Sequence, residues 1–294
     1  MDNIISSKKA ADFLNVNEST VKRWADIGYL KCIKTPGGHR KFKIEDLQAL
    51  AKKYDYETSY MRIDDDKSDL MSNIQNGNFK PIVKNLQKNI LNGNVNLTYK
   101  LLYTLYINNC SLEDIFDLIV KESMKNIGIM WMNKMIGIEN EHIASNTIQT
   151  ALFQLEKIVQ KKESINKTAI CAGLEKEFHE IGLLCVKISL EYDGWNVIYP
   201  GTNLPYKSLI KLIEILKPDL VCLSTTYISN ITLFEKQILS LHKKINEFGG
   251  ILLIGGHNTN RKSIMDLKCN STAEMKKILR KNISKKYYEK ILIE

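Results

Sequence analysis

Residues 166–182 read NKTAICAGLEKEFHEIG. TAICAG is a short apolar run, the residues after it form a polar loop, and apolar positions then recur at helical spacing to about Tyr192. Such a phrase describes a buried strand that delivers the chain into a helix. It recurs downstream. WNVIYP is followed by SLIKLIEIL, DLVCLST by a helical stretch over 229–247, and GILLIGG closes the series. Repeated strand-then-helix predicts a parallel sheet covered on both faces across 166–294. A fifth strand is poorly marked, and the final stretch, TAEMKKILRKNISKKYYEKILIE, is helical and basic.

Sheets of this kind bind ligands outside the carboxyl ends of their strands. The loop after the first strand holds Glu177, His179 and Gly182, the third strand runs into Ser224, Thr225 and Thr226, and the fourth into Gly255 and Gly256. An imidazole nitrogen of His179 can ligate a transition metal. Glu177 can accept from the other ring nitrogen and fix the tautomer. Gly182 lets a bulky group approach the next helix, and small hydroxyl residues with a glycine pair suit a slot for a slim ligand tail. On residue types alone an ordinary surface histidine fits as well. His257, just past the glycine pair, is within reach of the same slot but has no assigned role.

Residues 77–160 are helical throughout, with helices expected at about 78–91, 95–108, 112–129 and 139–160. Short polar connections make an up-and-down four-helix bundle the simplest packing. Trp131 ends the third helix, and Glu141-His142 opens the fourth. By pattern alone these are a core tryptophan and a solvated first turn. Residues 55–76 carry six acids against two bases and suit a linker.

Residues 1–54 run helix, tight turn, helix, hairpin, helix. Ser6 and Ser7 can cap the first helix, and Val21 and Trp24 point inward from the second. Ser19, Thr20, Lys22 and Arg23 lie at the start and outer face of that second helix, where they can donate to phosphates or base edges in a major groove. Eleven Lys and Arg against six Asp and Glu make this the basic part of a chain whose formal net charge is +9.

The six cysteines form no C-x-x-C pair and sit mostly in apolar runs, which implies a reducing cytoplasm without structural disulfides. Neither a signal segment nor a membrane span is expected.

The stretch AADFLNVNESTVKRWADIGYLKCIKTPGGHRKFKIEDL, residues 10–47, closely resembles the MerR-type winged helix-turn-helix. The resemblance implies that Arg23-Trp24 closes the recognition helix and that the wing brings Gly38, His39 and Arg40 to the DNA backbone. The set E-x-H-x-x-G, S-x-T and G-G resembles the cobalamin-binding Rossmann-like module, although Glu177 stands where Asp is more common. That module implies His179 as the lower ligand of cobalt. It also implies a displaced nucleotide tail beside Ser224, Thr226, Gly255 and Gly256.

W-x9-E-H ahead of such a module is similar to the CarH/LitR light-responsive repressors over nearly the full chain. Their bundle caps the upper face of adenosylcobalamin, which implies Trp131 over the upper ligand and Glu141 and His142 beside the adenosyl group. Met132 departs from the pattern, because a histidine follows the tryptophan in CarH proteins. The implied function is a non-enzymatic, cytoplasmic repressor. It would bind operator DNA as a homo-oligomer, a tetramer, in the dark, and release it when light breaks the cobalt–carbon bond. A light-independent cobalamin regulator, a relative that has lost the cofactor and a corrinoid methyl-transfer carrier are the alternatives.

Overall fold

The computed structural model describes residues 4–14, 16–54, 67–228, 230–256 and 268–291. His257 and the 55–66 part of the acidic linker lie outside the described residues. The chain divides into two compact units, 1–78 and 79–294.

The first unit contains β1 (Ile4–Ser6), α1 (Ser7–Leu14), α2 (Glu18–Asp26), β2 (Ile33–Lys34), β3 (Arg40–Lys43), α3 (Ile44–Tyr54) and α4 (Lys67–Gln75). Ser6 accepts from the Lys9 amide, so the expected cap is present. Ala10, Leu14, Val21, Trp24, Phe42, Leu47 and Leu50 bury the inner faces of these elements. Two features were not foreseen. β1 pairs antiparallel with β3, giving the sheet order β1-β3-β2; three residues are too few to show an alternating pattern. Within the stretch read as linker, residues 67–75 are helical, with Leu70 buried. The acidic composition masked an apolar pair, Leu70 and Ile74, at helical spacing.

The second unit opens with the bundle: α5 (Lys80–Leu91), α6 (Val95–Ile107), a π-helical stretch (Asp114–Val120) that runs straight into α7 (Lys121–Met132), and α8 (Ile138–Ile158). Ala144, Ile148, Ala151, Leu152 and Leu155 give α8 one buried stripe. The π turn was not legible, because its buried residues Ile115, Phe116, Ile119 and Val120 recur at a spacing of four that an α-helix shows as well.

β4 (Thr168–Leu174), β5 (Asn196–Leu204), β6 (Leu220–Ser224) and β7 (Ile251–Gly255) then form a parallel sheet in the order β5-β4-β6-β7. α9 (Ile181–Tyr192), α10 (Tyr206–Leu216), α11 (Ile231–Glu247) and α12 (Thr272–Ile291) cover it. Alternation along β4 sorts the two faces. Ile170 and Ala172 pack toward α10 and α11, whereas Ala169 and Cys171 pack toward α9 and α12. The weak fifth strand is a single parallel bridge, Ile254 to Lys268. β5 extends past Pro200 and Gly201, beyond the WNVIYP run in which the strand was read. It is an edge strand, which tolerates proline, and its pairing with β4 slips in register there.

Bundle and sheet module are fastened together within this unit. Asp117, in the π turn, accepts from the amides of Thr272 (2.9 Å) and Ala273 (3.0 Å) and from the Thr272 hydroxyl (3.0 Å), capping α12. Lys276, buried on α12, reaches Glu113 of the bundle at 2.6 Å and Asp193 at 2.9 Å.

Candidate functional site

Strand order reverses at β4, whose neighbours β5 and β6 leave in opposite directions, so a crevice opens at the carboxyl ends of β4 and β6. The His179 loop occupies that edge. The Asn203 amide donates to the Glu177 carbonyl (2.9 Å), and the Asn203 side chain accepts from the Lys176 amide (2.9 Å). The carboxyl end of β5 thereby pins the loop after β4.

Glu177 organises the site. Its side chain is 2% exposed. Oε1 accepts from the His179 amide at 2.8 Å and faces His179 Nδ1 at 2.7 Å, while Oε2 accepts from the amides of Tyr227 (3.0 Å) and Thr226. An ionised carboxylate only accepts, so Nδ1 carries the proton and Nε2 of the neutral ring is left with a lone pair. The imidazole is 62% exposed, so that lone pair is accessible. Burial pushes the Glu177 carboxyl up. The hydrogen bonds from the His179 ring and amide and the Tyr227 amide, with the imidazole's charge, outweigh it and hold the group below its ordinary value. The bond to Glu177 raises the His179 pKa against partial burial, and the charges of Glu177 and of Glu141 raise it further.

The other loops converge on the same edge. The Ser224 hydroxyl donates to the His179 carbonyl at 3.3 Å. Thr225, buried, donates its amide (2.8 Å) and hydroxyl (3.1 Å) to the Gly255 carbonyl. Thr226 enters through its amide, on Glu177. The glycine pair has a reason beyond the slot that its small size suggested. Gly256 has φ +124°, and a Cβ there would stand 2.7 Å from the Thr225 carbonyl carbon. A Cβ on Gly255 would meet the Cys269 carbonyl oxygen at 3.1 Å. Gly182 differs, because nothing lies within 4 Å of where its side chain would be. An exposed imidazole next to an open glycine at the head of α9 leaves room for a bulky group that His179 Nε2 would hold. Among the described residues, no group of three or more His, Cys, Asp and Glu could hold a metal ion, so a metal here would take His179 as its protein ligand.

Across the crevice, α8 places Glu141 near enough for its charge to act on His179. Ser145, one turn along, donates to Glu141 Oε1 at 2.7 Å, and His142 Nε2 stands 3.7 Å from Glu141 Oε2. Trp131 is not core: it is 45% exposed at the end of α7. With Leu91, Met135, Ile138 and Asn140 it lines a cleft of about 640 Å³. Sequence reasoning missed Gln149 and Glu180. Gln149 of α8 donates to Glu180 Oε2 at 2.5 Å, and the Tyr199 hydroxyl donates to Glu180 Oε1 at 2.9 Å.

In the first unit, Ser19, Lys22 and Arg23 are exposed along α2, Thr20 is half-buried, and Trp24 is buried. Lys22 pairs with Glu18 at 2.8 Å. The wing turn closes through the Gly38 amide on the Thr35 carbonyl (2.9 Å), leaving Gly38 and His39 exposed. Arg40, half-buried, bonds Asp26 at the end of α2 at 2.7 Å, which ties the wing to that helix.

Comparison with known proteins bears on both units. Residues 167–271 match the B12 binding domain and residues 4–54 match a helix-turn-helix domain. The HTH-type transcriptional repressor CarH of Myxococcus xanthus is 25% identical over 130 residues, 44% of this chain and 43% of that protein. The chain thus spans less than half the length of that relative. The monomethylamine corrinoid protein of Methanosarcina barkeri superposes with a TM-score of 0.57 at 18% identity, covering 66% of this chain and 94% of that one, which shows a shared fold.

Proposed function

We propose that this chain, a CarH/LitR-like protein that joins a helix-turn-helix head to a B12 binding module, is a cobalamin-dependent transcriptional regulator. The observation that carries the proposal is the outward imidazole of His179, its tautomer set by buried Glu177, at the switch point of a parallel sheet and opposite Glu141 of the bundle. His179 would hold the lower face of the corrin through Nε2. Gly182, Ser224, Thr226, Gly255 and Gly256 would border the crevice for the nucleotide tail. Trp131, Glu141 and His142 would meet the upper face.

The finer reading is an adenosylcobalamin-dependent light switch. Adenosylcobalamin, when bound, supplies a cobalt–carbon bond that light can break. Trp131 and the first turn of α8 would sense the presence of the adenosyl group, with no turnover. An assembled homo-oligomer, a tetramer, would present several heads to repeated operator elements. Ser19, Thr20, Lys22, Arg23, Gly38, His39 and Arg40 would form the contacts, and linkage of the heads would supply avidity. Losing the group under Trp131 would shift the population away from that assembly. Among the described residues, no helix is long and apolar enough to cross a membrane.

The test is DNA binding by the purified protein with adenosylcobalamin, in darkness and after green light, alongside absorption spectra. Tight binding in the dark and release in light support the switch. A second reading, regulation by cobalamin without light, is favoured by Met132. It is 67% exposed beside Trp131, and its thioether is a weak ligand for oxidised cobalt. Cofactor-dependent DNA binding that illumination leaves unchanged selects it. A protein that stays colourless with cobalamin overturns both.

A further inference from the structure

The sheet module and the bundle meet beside the candidate ligand. Glu180 directly follows His179 and immediately precedes α9. Both of its carboxylate oxygens are engaged: Oε1 by the Tyr199 hydroxyl of β5 (2.9 Å), Oε2 by the Gln149 amide of α8 (2.5 Å). Gln149 follows Ser145 and Glu141 at successive four-residue steps, so all three lie along one face of α8. That face therefore touches the His179 loop at Gln149 and carries Glu141, whose charge reaches the ring, two turns away.

We infer that Glu180 is a positioning residue: clamped between Gln149 and Tyr199, it sets the distance between the His179 imidazole and the face of α8 that carries Glu141. The loop's own bonds to Glu177 orient the ring but contain no atom of the bundle, so they cannot set its distance from α8. The Asp117 and Lys276 contacts join bundle and sheet module at the start of α12 and contain no atom of the His179 loop. A hydrogen bond to a charged carboxylate is among the stronger kinds, and losing one partner leaves a half-buried oxygen unsatisfied. The inference rests on the cobalamin reading only for what the ring binds; the positioning itself is a property of the free protein.

The pair permits a swap. Gln149→Glu sets two carboxylates against each other. Gln149→Glu combined with Glu180→Gln restores one amide and one carboxylate with the donor reversed, and the new Gln oxygen can still accept from Tyr199. The free protein is read by the NMR signals of the His179 ring, and cobalamin binding by absorption titration. Gln149→Glu is expected to move the ring signals and weaken cobalamin binding roughly tenfold, while the swap returns both toward the parent. Gln149→Met, which removes the donor without adding charge, serves if Gln149→Glu does not fold, and is expected to move the same signals. Unmoved His179 signals in a folded Gln149 variant, or a swap that rescues neither readout, overturn the assignment. If the parent protein fails to bind cobalamin, the functional reading falls, yet the ring signals still decide the positioning.

Discussion

His179 Nδ1 lies 2.7 Å from Glu177 Oε1, and the two side chains differ sharply in exposure, the ring largely open and the carboxylate buried. The pairing leaves Nε2 as the outward atom. It works because Glu177 is itself held by two further amides, on Thr226 and Tyr227, from the loop after β6. One buried carboxylate therefore joins the first and third strand loops and presents the ring.

Replacing that carboxylate should cost stability even without a ligand. Glu177→Gln turns one acceptor into a donor that faces N–H groups. The expected loss is about 1–3 kcal/mol, from one unsatisfied buried group, read from urea unfolding of the cofactor-free protein. Because folding lowers the Glu177 pKa, its contribution is complete above the ordinary value near 4.5 and is lost as pH falls through the lower folded value. The variant's deficit should therefore shrink toward acid. A deficit that does not shrink as pH falls below the ordinary carboxylate range would show that packing, not charge, is responsible.

Cobalt and proton compete for His179 Nε2. Because the folded protein raises the His179 pKa above 6.5, the fall in ligation on acidification should begin above that pH. Below the break, affinity should drop about tenfold per pH unit. The stability sign is opposite to that of Glu177: the charged pair contributes fully below the ordinary histidine value and is lost as pH rises through the folded one. Absorption titrations between pH 5.5 and 8.5 locate the break, and one at or below 6.5 contradicts the argument.

Lys22 on α2 is exposed and forms a surface pair with Glu18. If it meets a phosphate, Lys22→Gln should weaken binding to any duplex and reduce the slope of log affinity against log salt by about 0.9. Fluorescence anisotropy on a mixed-sequence duplex at several salt concentrations measures this. An unchanged slope removes Lys22 from the phosphate path.

Asp117 caps α12 from the bundle with three bonds, so Asp117→Ala should lower the stability of the second unit by about 1–2 kcal/mol. Asp117→Asn, which keeps one acceptor oxygen, should recover part of it. Urea midpoints compare the two, and equal midpoints for parent and alanine variant would show that the cap contributes nothing.

Much of this was readable from residue order. The second helix of the head was expected with Val21 and Trp24 on its inner face, and both are buried on α2, which ends ahead of Gly28 at φ +80°. The apolar runs at 168–174, 220–224 and 251–255 became strands because they lie in a sheet buried on both faces, where strands need no polar alternation. His179 and Glu177 were legible as a pair because two residues of one loop share a local geometry.

What the order of residues determined by itself is therefore local: strand and helix type, the faces that turn inward, the basic head, and a histidine beside a carboxylate on a loop after a strand. The tertiary structure alone decided that Gln149 reaches Glu180, 31 positions away, and that Asp117 caps a helix 155 positions on. The reason is physical. Backbone periodicity is written into every few residues by steric and burial preferences, so it leaves a trace in sequence. A polar contact across the interface between bundle and sheet depends on how two folded surfaces meet, and that is settled only when both exist.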